Sequence, residues 1–299
     1  MKLSCLVFCI GSSLVASFSF AVQDVGTQLG VRSRAMGGAG RAIANTNEAM
    51  YLNPAGMSQS ARFSLDTDYV YRLNDPVHFV GLSLVDSTTN PLAAGLDFHL
   101  GIDPTQGTKS LSYLGSLALS FVLVEEAIFL GATGKYAFLP RTLGDPIQVN
   151  QFGVDAGILI KLPKGLSLAA TGYNLVPTNS RRLPLSVGLG AGLNLRDDSR
   201  AAHDLISAMS GLTVAFDWLL HDFSAPTGMD HQLSAGMEYL FFEAMPLRVG
   251  YSYSLARMEH ELSGGFGYVS NDFGLEGFYE QNITLLENRS FGIVMRLLF

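Results

Sequence analysis

The sequence is poor in cysteine, tryptophan and charge. Its 299 residues include one tryptophan and two cysteines, Cys5 and Cys9, and charged residues make up 15% of the chain, against roughly 25% in an ordinary soluble domain. Residues beyond Cys9 therefore cannot form a disulfide bond. The net charge of −7 comes without any block of Lys or Arg, which argues against nucleic-acid binding. A hydrophobic content of 48% excludes intrinsic disorder as well.

Long apolar runs are also lacking after the N-terminus. Lys2, the apolar stretch 3–15 and Ser19-Phe20-Ala21 have the order of a secretory signal peptide, so we expect residues 1–21 to be removed after Ala21. In the remaining chain no run reaches the roughly 18 apolar residues of a spanning helix, since even 111–124 is interrupted by serines and a glycine. If the mature chain lies in a membrane, it must be a closed β-barrel, because only helices and barrels satisfy every backbone group there.

What the sequence does contain is glycine, with 32 residues, and an alternating pattern of apolar and small residues. At the C-terminus, Phe291, Ile293, Met295, Leu297 and Phe299 alternate with Ser290, Gly292, Val294, Arg296 and Leu298. A soluble sandwich strand alternates too, but its polar face would carry Lys and Glu throughout. Here the residues of the second face are small and sparsely charged, and the same alternation recurs along the chain. The pattern therefore favours a membrane barrel with an apolar outside and a crowded lumen.

The alternation predicts an all-β fold, an antiparallel transmembrane β-barrel of about 14 strands. Twelve strands stay open as an alternative, because the second and seventh segments alternate poorly. Counted from the connection after the first strand, most even-numbered connections between strands are shorter than the odd-numbered ones. This is expected for short periplasmic turns and longer extracellular loops. The predicted strands are 62–72, 76–86, 92–101, 109–123, 126–139, 151–162, 165–175, 183–195, 211–221, 230–242, 246–256, 261–269, 272–281 and 288–299. Residues 196–210 form a longer connection in which we expect a short helix at 201–209.

Residues 22–61 do not alternate and are expected to form a separate N-terminal segment. They contain a glycine-rich run, 34–40, and a second stretch, 43–57. Within the second, Asn45 and Glu48 have the spacing of a capping box and predict the start of a short helix, which Pro54 would end. A phosphate-binding loop is not expected, because no Gly-Lys-Ser/Thr sequence follows the glycines.

The two stretches resemble the N-terminal plug of the FadL-type long-chain fatty-acid transporter superfamily and its PorV-like relatives. The residues that carry the resemblance are Arg34, Gly37, Gly38, Gly40, Asn45, Asn53, Pro54, Ala55 and Gly56. The resemblance implies a plug (hatch) at 22–61 inside a barrel at 62–299, and passive passage of hydrophobic, fatty-acid-like molecules across the bacterial outer membrane through a gap in the wall. A kink or a gap in the wall is expected near the plug, and the third strand, Leu92 to Gly101 with Pro91 before it and Gly95 within it, is the first place to look for it. The PorV-like alternative is docking or shuttling of secreted proteins.

Charged and polar residues on the second face of the strands are expected to line the lumen. An Arg on the lipid face would cost roughly 2–4 kcal/mol at the midplane, which supports this assignment. Arg32, Arg34 and Arg41 of the plug are then placed to pair with lumenal acids. The lumen-facing candidates are Asp66, Asp68, Arg72, Asp97, His99, Lys135, Asp155, Lys161, Asp217, Glu238, Arg248, Glu276 and Arg296.

An enzymatic function is not expected. The His/Asp pairs His203-Asp204, His221-Asp222 and Asp230-His231 could serve a barrel protease, but no second acidic pair, nucleophile elbow or His-Glu-x-x-His sequence accompanies them. No cofactor and no metal site are expected, because no ligand-spaced cluster is present. The expected partners are the lipid bilayer, a hydrophobic small molecule and, in the PorV-like alternative, other proteins.

Overall fold

The computed structural model describes residues 30–74, 76–88, 92–104, 110–141, 148–176, 182–195, 211–221, 229–242 and 244–299. The predicted signal peptide, the first residues of the predicted plug (22–29) and the short helix expected at 201–209 lie outside the described residues. The domain boundaries at 21 and 61 stay predictions.

The described residues form fourteen β-strands, and the twelve-strand alternative is wrong. Each strand differs from its predicted bounds by at most three residues at either end. The strands are β1 (Phe63–Arg72), β2 (His78–Asp86), β3 (Leu92–Asp103), β4 (Ser110–Val124), β5 (Ile128–Leu139), β6 (Val149–Lys161), β7 (Leu166–Tyr173), β8 (Ser186–Asn194), β9 (Leu212–His221), β10 (Asp230–Phe241), β11 (Met245–Ser254), β12 (Glu259–Val269), β13 (Phe273–Asn282) and β14 (Arg289–Leu298).

The strands close into an antiparallel barrel in which every strand pairs with its neighbours in sequence and β1 pairs with β14. No register shift interrupts β3, which pairs with β4 from Leu92↔Phe121 to Asp103↔Ser110. The described part of β3 therefore leaves no gap in the wall toward β4, whereas a kink stays a prediction and Pro91 lies outside the described residues. The shortest ladder joins β6 to β7, from Ala156↔Gly172 to Lys161↔Ser167.

Alternation along the strands separates two faces of the wall. The large apolar side chains at one set of positions are exposed on the outside, and Phe152, Phe216 and Phe266 are among the most exposed. The intervening positions carry Ser, Gly and charged residues that are buried inside, such as Ser64, Asp155 and Arg248. This distribution is the reverse of a soluble protein and is the arrangement of a transmembrane barrel, whose apolar band faces lipid.

The two ends of the barrel differ in their connections. Both termini of the barrel and the short turns 125–127, 162–165, 242–244 and 270–272 lie at one end, which we call the turn side. The connections at the other end, the loop side, include the longer 140–148 and 174–185. The long connection 195–211 is the exception on the turn side. No helix in the described parts of the chain is long and apolar enough to cross a membrane.

Short helices occur in the N-terminal segment. They are α1 (Val31–Ala35), α2 (Ala49–Leu52) and a 3-10 helix at Pro54–Gln59. The predicted capping box is wrong: α2 begins after Glu48 without any side-chain cap, and the Glu48 carboxylate instead accepts from the Ser33 N–H at 3.2 Å. The predicted end of the helix before Pro54 is confirmed, since Asn53 is extended and Pro54 opens the 3-10 helix.

Candidate functional site

Residues 30–61, which we call the inner segment, lie inside the barrel. Their side chains and backbone contact residues on the inner face of strands all around the wall. Arg32 bonds to Glu238 on β10, the Thr133 hydroxyl of β5 donates to the Met50 carbonyl, and Asn47 bonds to Ser64 and Ser83 on β1 and β2. Strands on opposite sides of a closed wall can be contacted together only from the lumen. The inner segment therefore occupies the interior of the barrel.

Glycines on the inner face of the wall make room for this segment. Gly236 and Gly250 are cross-strand neighbours, and a Cβ on Gly250 would stand 2.0 Å from the Gly37 nitrogen. At Gly236 it would stand 2.4 Å from the Met36 Cβ. Any side chain at these two positions would displace the turn at Met36-Gly37. That turn itself needs glycine, because Gly37 has a φ of +69°.

A second glycine pair receives the Asn-Pro-Ala motif. Gly131 and Gly157 are paired across β5 and β6. A Cβ on Gly157 would lie 2.1 Å from the Asn53 Oδ1, and one on Gly131 would lie 2.3 Å from the Pro54 carbonyl carbon. At these positions the abundant glycines of the sequence therefore form a docking surface for the inner segment.

Six charged side chains on the turn-side half of the lumen form a continuous series of alternating sign. We call it the ion chain, and its members in order are Arg32, Glu238, Arg248, Glu276, Arg296 and Asp66. Successive members are 2.5–3.0 Å apart. All six are largely buried and their charges cancel, which is the condition under which buried ions are tolerated.

The strand register explains how the ion chain spans the wall. Glu238 and Arg248 are cross-strand partners on β10 and β11, and Asp66 and Arg296 are partners on β1 and β14. Between them, β12 presents only glycine: Gly265 is opposite Arg248, and Gly267 is opposite Glu276. The missing side chains leave room for Arg248 to reach Glu276 across β12. The chain begins on the inner segment, at Arg32, and ends where the barrel closes.

Two more arginines of the inner segment pair with wall acids, as expected from the sequence. Arg41 lies 2.9 Å from Asp217, which also accepts from the Gly40 and Arg41 backbone N–H groups. Arg34 lies 2.8 Å from Glu280 on β13. Because the Asp217 carboxylate accepts three hydrogen bonds from one turn, it fixes the position of that turn as well as balancing its charge.

Two asparagines fix the rest of the inner segment by hydrogen bonds to backbone. Asn53 donates to the Arg41 and Ile158 carbonyls and accepts from the Ala55 N–H, so it joins two parts of the segment to β6. Asn47 donates to Ser83 and accepts from the Ser64 hydroxyl. Both asparagines are fully buried. Their amides replace the water that the surrounding carbonyls would otherwise need.

The acidic residue of the inner segment, Glu48, lies close to this network. Burial raises the pKa of the Glu48 carboxyl above its ordinary value, and Arg32 and the Ser33 N–H act in the opposite direction. Gly30 makes room for this side chain, since a Cβ there would overlap Glu48. Glu48 thus holds the start of α1 rather than the start of α2.

His99 of β3 lies between two carboxylates inside the barrel. Its Nδ1 is 3.0 Å from Asp97 and its Nε2 is 3.2 Å from Asp68 on β1. Both hydrogen bonds form together when both ring nitrogens carry protons, since an ionised carboxylate only accepts. The Tyr51 ring of the inner segment meets the imidazole edge-on at 5.7 Å. This cluster ties β1 and β3 together beside α2.

One part of the loop-side half of the lumen is apolar, whereas other inner-face positions at that level are polar, among them Asp230, Ser254 and Glu280. Val70 lies two positions beyond Asp68 on β1, Phe278 two beyond Glu276, and Val294 two before Arg296, so all three lie toward the loop side from the ion chain. They belong to one buried cluster, which we call the apolar cluster. It consists of Val31, Ala35, Val70, Val77, Phe79, Leu114, Ala137, Leu139, Val149, Leu183, Phe278 and Val294.

Two guanidinium groups flank the apolar cluster. The Arg72 guanidinium lies 5.3 Å from the centre of the Phe79 ring, and Arg34 lies at the same distance from the Phe278 ring. Leu183 reaches the cluster from the connection between β7 and β8. The apolar cluster therefore combines side chains of the wall with Val31 and Ala35 of the inner segment.

The thirteen lumen-facing candidates all occupy inner-face positions of the wall. Ten of them are buried: Asp66, Asp97, His99, Lys135, Asp155, Asp217, Glu238, Arg248, Glu276 and Arg296. The other three, Asp68, Arg72 and Lys161, are partly buried. Lys135 pairs with Asp155 at 2.7 Å, and the Lys161 ammonium lies 5.2 Å from the Phe129 ring. A role of these residues in binding or transport stays a prediction.

The histidines considered for catalysis do not form one site. His221 is on the inner face, 3.1 Å from Asp230. His231 has the alternation of Leu233 and lies on the outer face against Trp218. The wall of the barrel separates them. His203, Asp204 and Asp222 lie outside the described residues, and within the described part no group of three His, Cys, Asp or Glu side chains could hold a metal ion.

Comparison with solved structures identifies the same fold in transport proteins. The toluene transporter TbuX of Ralstonia pickettii superposes with a TM-score of 0.60 at 14% identity, over 90% of this chain and 97% of that one. The Pseudomonas putida toluene transporter TodX gives 0.59 at 13%, over 92% and 99%. A FadL homologue of Pseudomonas aeruginosa gives 0.59 at 13%, over 90% and 97%. No protein-family model matches the chain, and no curated protein matches it in sequence. At these identities the likeness establishes the barrel fold.

Proposed function

We propose that the protein is an outer-membrane channel through which hydrophobic small molecules pass without an energy source. In this proposal the turn side faces the periplasm and the loop side faces the medium, in line with the connection lengths. The inner segment is the plug, and the signal peptide at 1–21 exports the chain. The barrel fold shared with two toluene transporters supports the proposal.

The observation that carries the proposal is the apolar cluster. A pore for ions or sugars needs polar groups along its whole inner surface, whereas here Val70, Phe79, Leu114 and Val294 line part of the loop-side half with hydrocarbon. An apolar solute that reaches this half leaves water for apolar surroundings, which is favourable. A polar solute would lose its hydration without new hydrogen bonds. The cluster thus favours hydrocarbons over sugars.

The inner segment supplies the second half of the proposal. The ion chain and the buried asparagines hold the inner segment across the lumen. The width of the barrel alone therefore does not imply an open, water-filled path. A solute has to move between the segment and the wall, or through the wall. No observation on the described residues favours the PorV-like alternative of protein docking, and we propose no catalytic role.

Uptake of radiolabelled toluene tests the proposal in Gram-negative cells that lack their own hydrocarbon channel. Leu114→Asn places an amide in the apolar cluster, and we expect it to slow toluene uptake about fivefold or more, because the amide must be desolvated. Ser112→Asn is the matched control, since Ser112 is an inner-face residue two positions away on β4 and is already polar. We expect Ser112→Asn to leave uptake within about twofold of the wild type. Equal uptake of toluene and glucose by the wild type would contradict the proposal.

A further inference from the structure

The inner segment has two parts that differ in charge. Residues 30–41, which we call the arginine part, carry Arg32, Arg34 and Arg41, and each of these pairs with an acid on β9, β10 or β13. Residues 49–59, which we call the neutral part, comprise α2 and the 3-10 helix and contain no charged side chain. The two parts are therefore held to the wall by different kinds of contact.

Hydrogen bonds between uncharged groups join the neutral part to the wall. Three of them run from a wall hydroxyl to a backbone carbonyl of the neutral part, and the fourth runs from the Asn53 amide to a wall carbonyl. The wall groups are Ser120 on β4, Thr133 on β5, Ile158 on β6 and Tyr173 on β7. Because hydrogen bonds between charged groups are roughly twice as strong as neutral ones, the neutral part is held less firmly than the arginine part.

Apolar side chains fill the space between the neutral part and the wall. Most belong to one buried cluster, in which three residues of the neutral part pack against β2, β3 and β4. Its members include Met50, Leu52, Met57, Val85, Ala93 and Ala118. Beside it, Ala55 packs with Phe129 and Leu159 on β5 and β6. A hydrocarbon between the neutral part and this wall would therefore have apolar surroundings on both sides.

The inner face of β4 connects this region with the apolar cluster on the loop side. Leu114 of the apolar cluster and Ala118 beneath the neutral part are four positions apart on that face, with Ser116 between them. On the opposite side of the lumen, β10–β14 carry the ion chain. A hydrocarbon that separated those charges would leave them buried without partners, which is costly. The side of β3–β6 is therefore the favourable way past the inner segment.

The neutral part is fixed to the wall at both of its ends. Before it, Asn47 bonds to Ser64 and Ser83 on β1 and β2. After it, the Ser60 carbonyl accepts from the Ser87 hydroxyl, just beyond β2, at 2.6 Å. Both fixed points lie beside β1 and β2. The stretch between them can therefore leave β3–β6 without detaching the rest of the inner segment.

We propose that a hydrophobic solute passes the inner segment between the neutral part and β3–β6. In this proposal the neutral part moves away from that wall, while the arginine part stays bound to β9–β13. The route deepens the proposed channel function and rests on it. The movement of the neutral part is a property of the protein alone, so it can be measured without any solute.

Hydrogen–deuterium exchange of the full chain in lipid nanodiscs, without solute, tests the movement. The amides of Leu52 and Asn53 in the neutral part and of Arg34 and Gly38 in the arginine part donate to backbone carbonyls at 2.8–3.0 Å. A rigid inner segment would therefore protect them alike. We expect exchange about tenfold faster or more in 49–59 than in 31–41, because exchange requires local opening. Equal exchange, or faster exchange in the arginine part, would overturn the proposal.

A reversible disulfide bond tests the route. The hydroxyl oxygens of Ser58 and Ser120 lie 2.7 Å apart, and the chain has no cysteine beyond Cys9. Ser58→Cys combined with Ser120→Cys therefore allows a disulfide bond between the neutral part and β4. We expect the oxidised variant to slow toluene uptake about fivefold or more and to lower exchange in 49–59 to the level of 31–41. A reductant should reverse both effects.

Ser234→Cys combined with Ser252→Cys is the matched control, because these serines are cross-strand partners within the wall, on β10 and β11. Its oxidised form should take up toluene at the rate of the wild type. Undiminished uptake by the oxidised Ser58 and Ser120 variant would overturn the route. If the wild type took up no toluene, the channel function and the route would fail together, whereas faster exchange in 49–59 would still establish the movement.

Discussion

The two halves of the lumen are filled in different ways. On the turn side, arginines and carboxylates join the inner segment to the wall through the ion chain, and glycines on the wall accept its backbone. On the loop side, apolar side chains of the wall meet each other in the apolar cluster, and α1 contributes Val31 and Ala35. Directional contacts fix the first half in one arrangement. Contacts between apolar side chains are not directional, so the second half can rearrange around a solute more easily.

Breaking the ion chain should have the largest effect. Arg248→Met leaves Glu238 and Glu276 with one arginine fewer between them, and we expect the free energy of unfolding to fall by about 3–5 kcal/mol, because a buried charge loses its partner. Urea titration of the protein reconstituted in lipid vesicles measures this. Arg289→Met, at the exposed start of β14, is the control and should stay within about 0.5 kcal/mol of the wild type. Equal losses would show that the ion chain is not what holds the turn-side half.

Filling the glycine docking surface should have the next largest effect. Gly250→Val pushes a side chain into the turn at Met36-Gly37, and we expect a loss of about 1–3 kcal/mol and proteolytic cleavage within residues 30–61. Limited proteolysis from the periplasmic face, read by mass spectrometry, measures the release of the inner segment. Gly134→Val serves as the control, since nothing lies within 4 Å of a Cβ at that position. If the inner segment of Gly250→Val stays protected from the protease, the wall has moved instead of the segment.

Removing one buried amide should have the smallest effect of the three. Asn53→Ala deletes the bonds to the Arg41 and Ile158 carbonyls, and we expect a loss of about 1–2 kcal/mol because those carbonyls stay buried. Asn45→Ala removes only a solvent-exposed bond from Arg32 and should cost less than about 0.5 kcal/mol. The two variants are compared by their thermal unfolding, with gel mobility as the readout. A larger loss for Asn45→Ala would show that the buried amide is not a main anchor of the inner segment.

The strands could be predicted from the sequence because a barrel strand in lipid has one strict requirement. Every second side chain must be apolar, so the alternation in 288–299 or 62–72 is visible without knowledge of the neighbours. The interior follows no such rule along the chain. Glu48 has the spacing of a capping residue, but in the buried interior the Ser33 N–H competes for its carboxylate. Local spacing could not reveal that contact.

The connections of the ion chain could not be predicted for a related reason. Arg248 and Glu276 are 28 positions apart, and they meet only because β12 presents glycines at 265 and 267. Glycine abundance was visible in the composition, but its role as a docking surface depends on the register of pairs such as Gly236 and Gly250. The search for a kink or gap began at β3 because of Pro91 and Gly95, and the ladder from β3 to β4 runs without a register shift.

The pairing of β1 with β14 has a consequence for the order in which the protein is built. The inner segment precedes β1 directly in the chain and contacts strands on every side, whereas β14 is made last. If the wall closed first, more than thirty residues would have to enter through one end and find their glycine surfaces inside a narrow tube. We therefore expect the segment to fold together with the open sheet, and the seam to be the final step of insertion. Asp66 and Arg296 face each other across that seam, so the ion chain is complete only in a molecule whose assembly is finished.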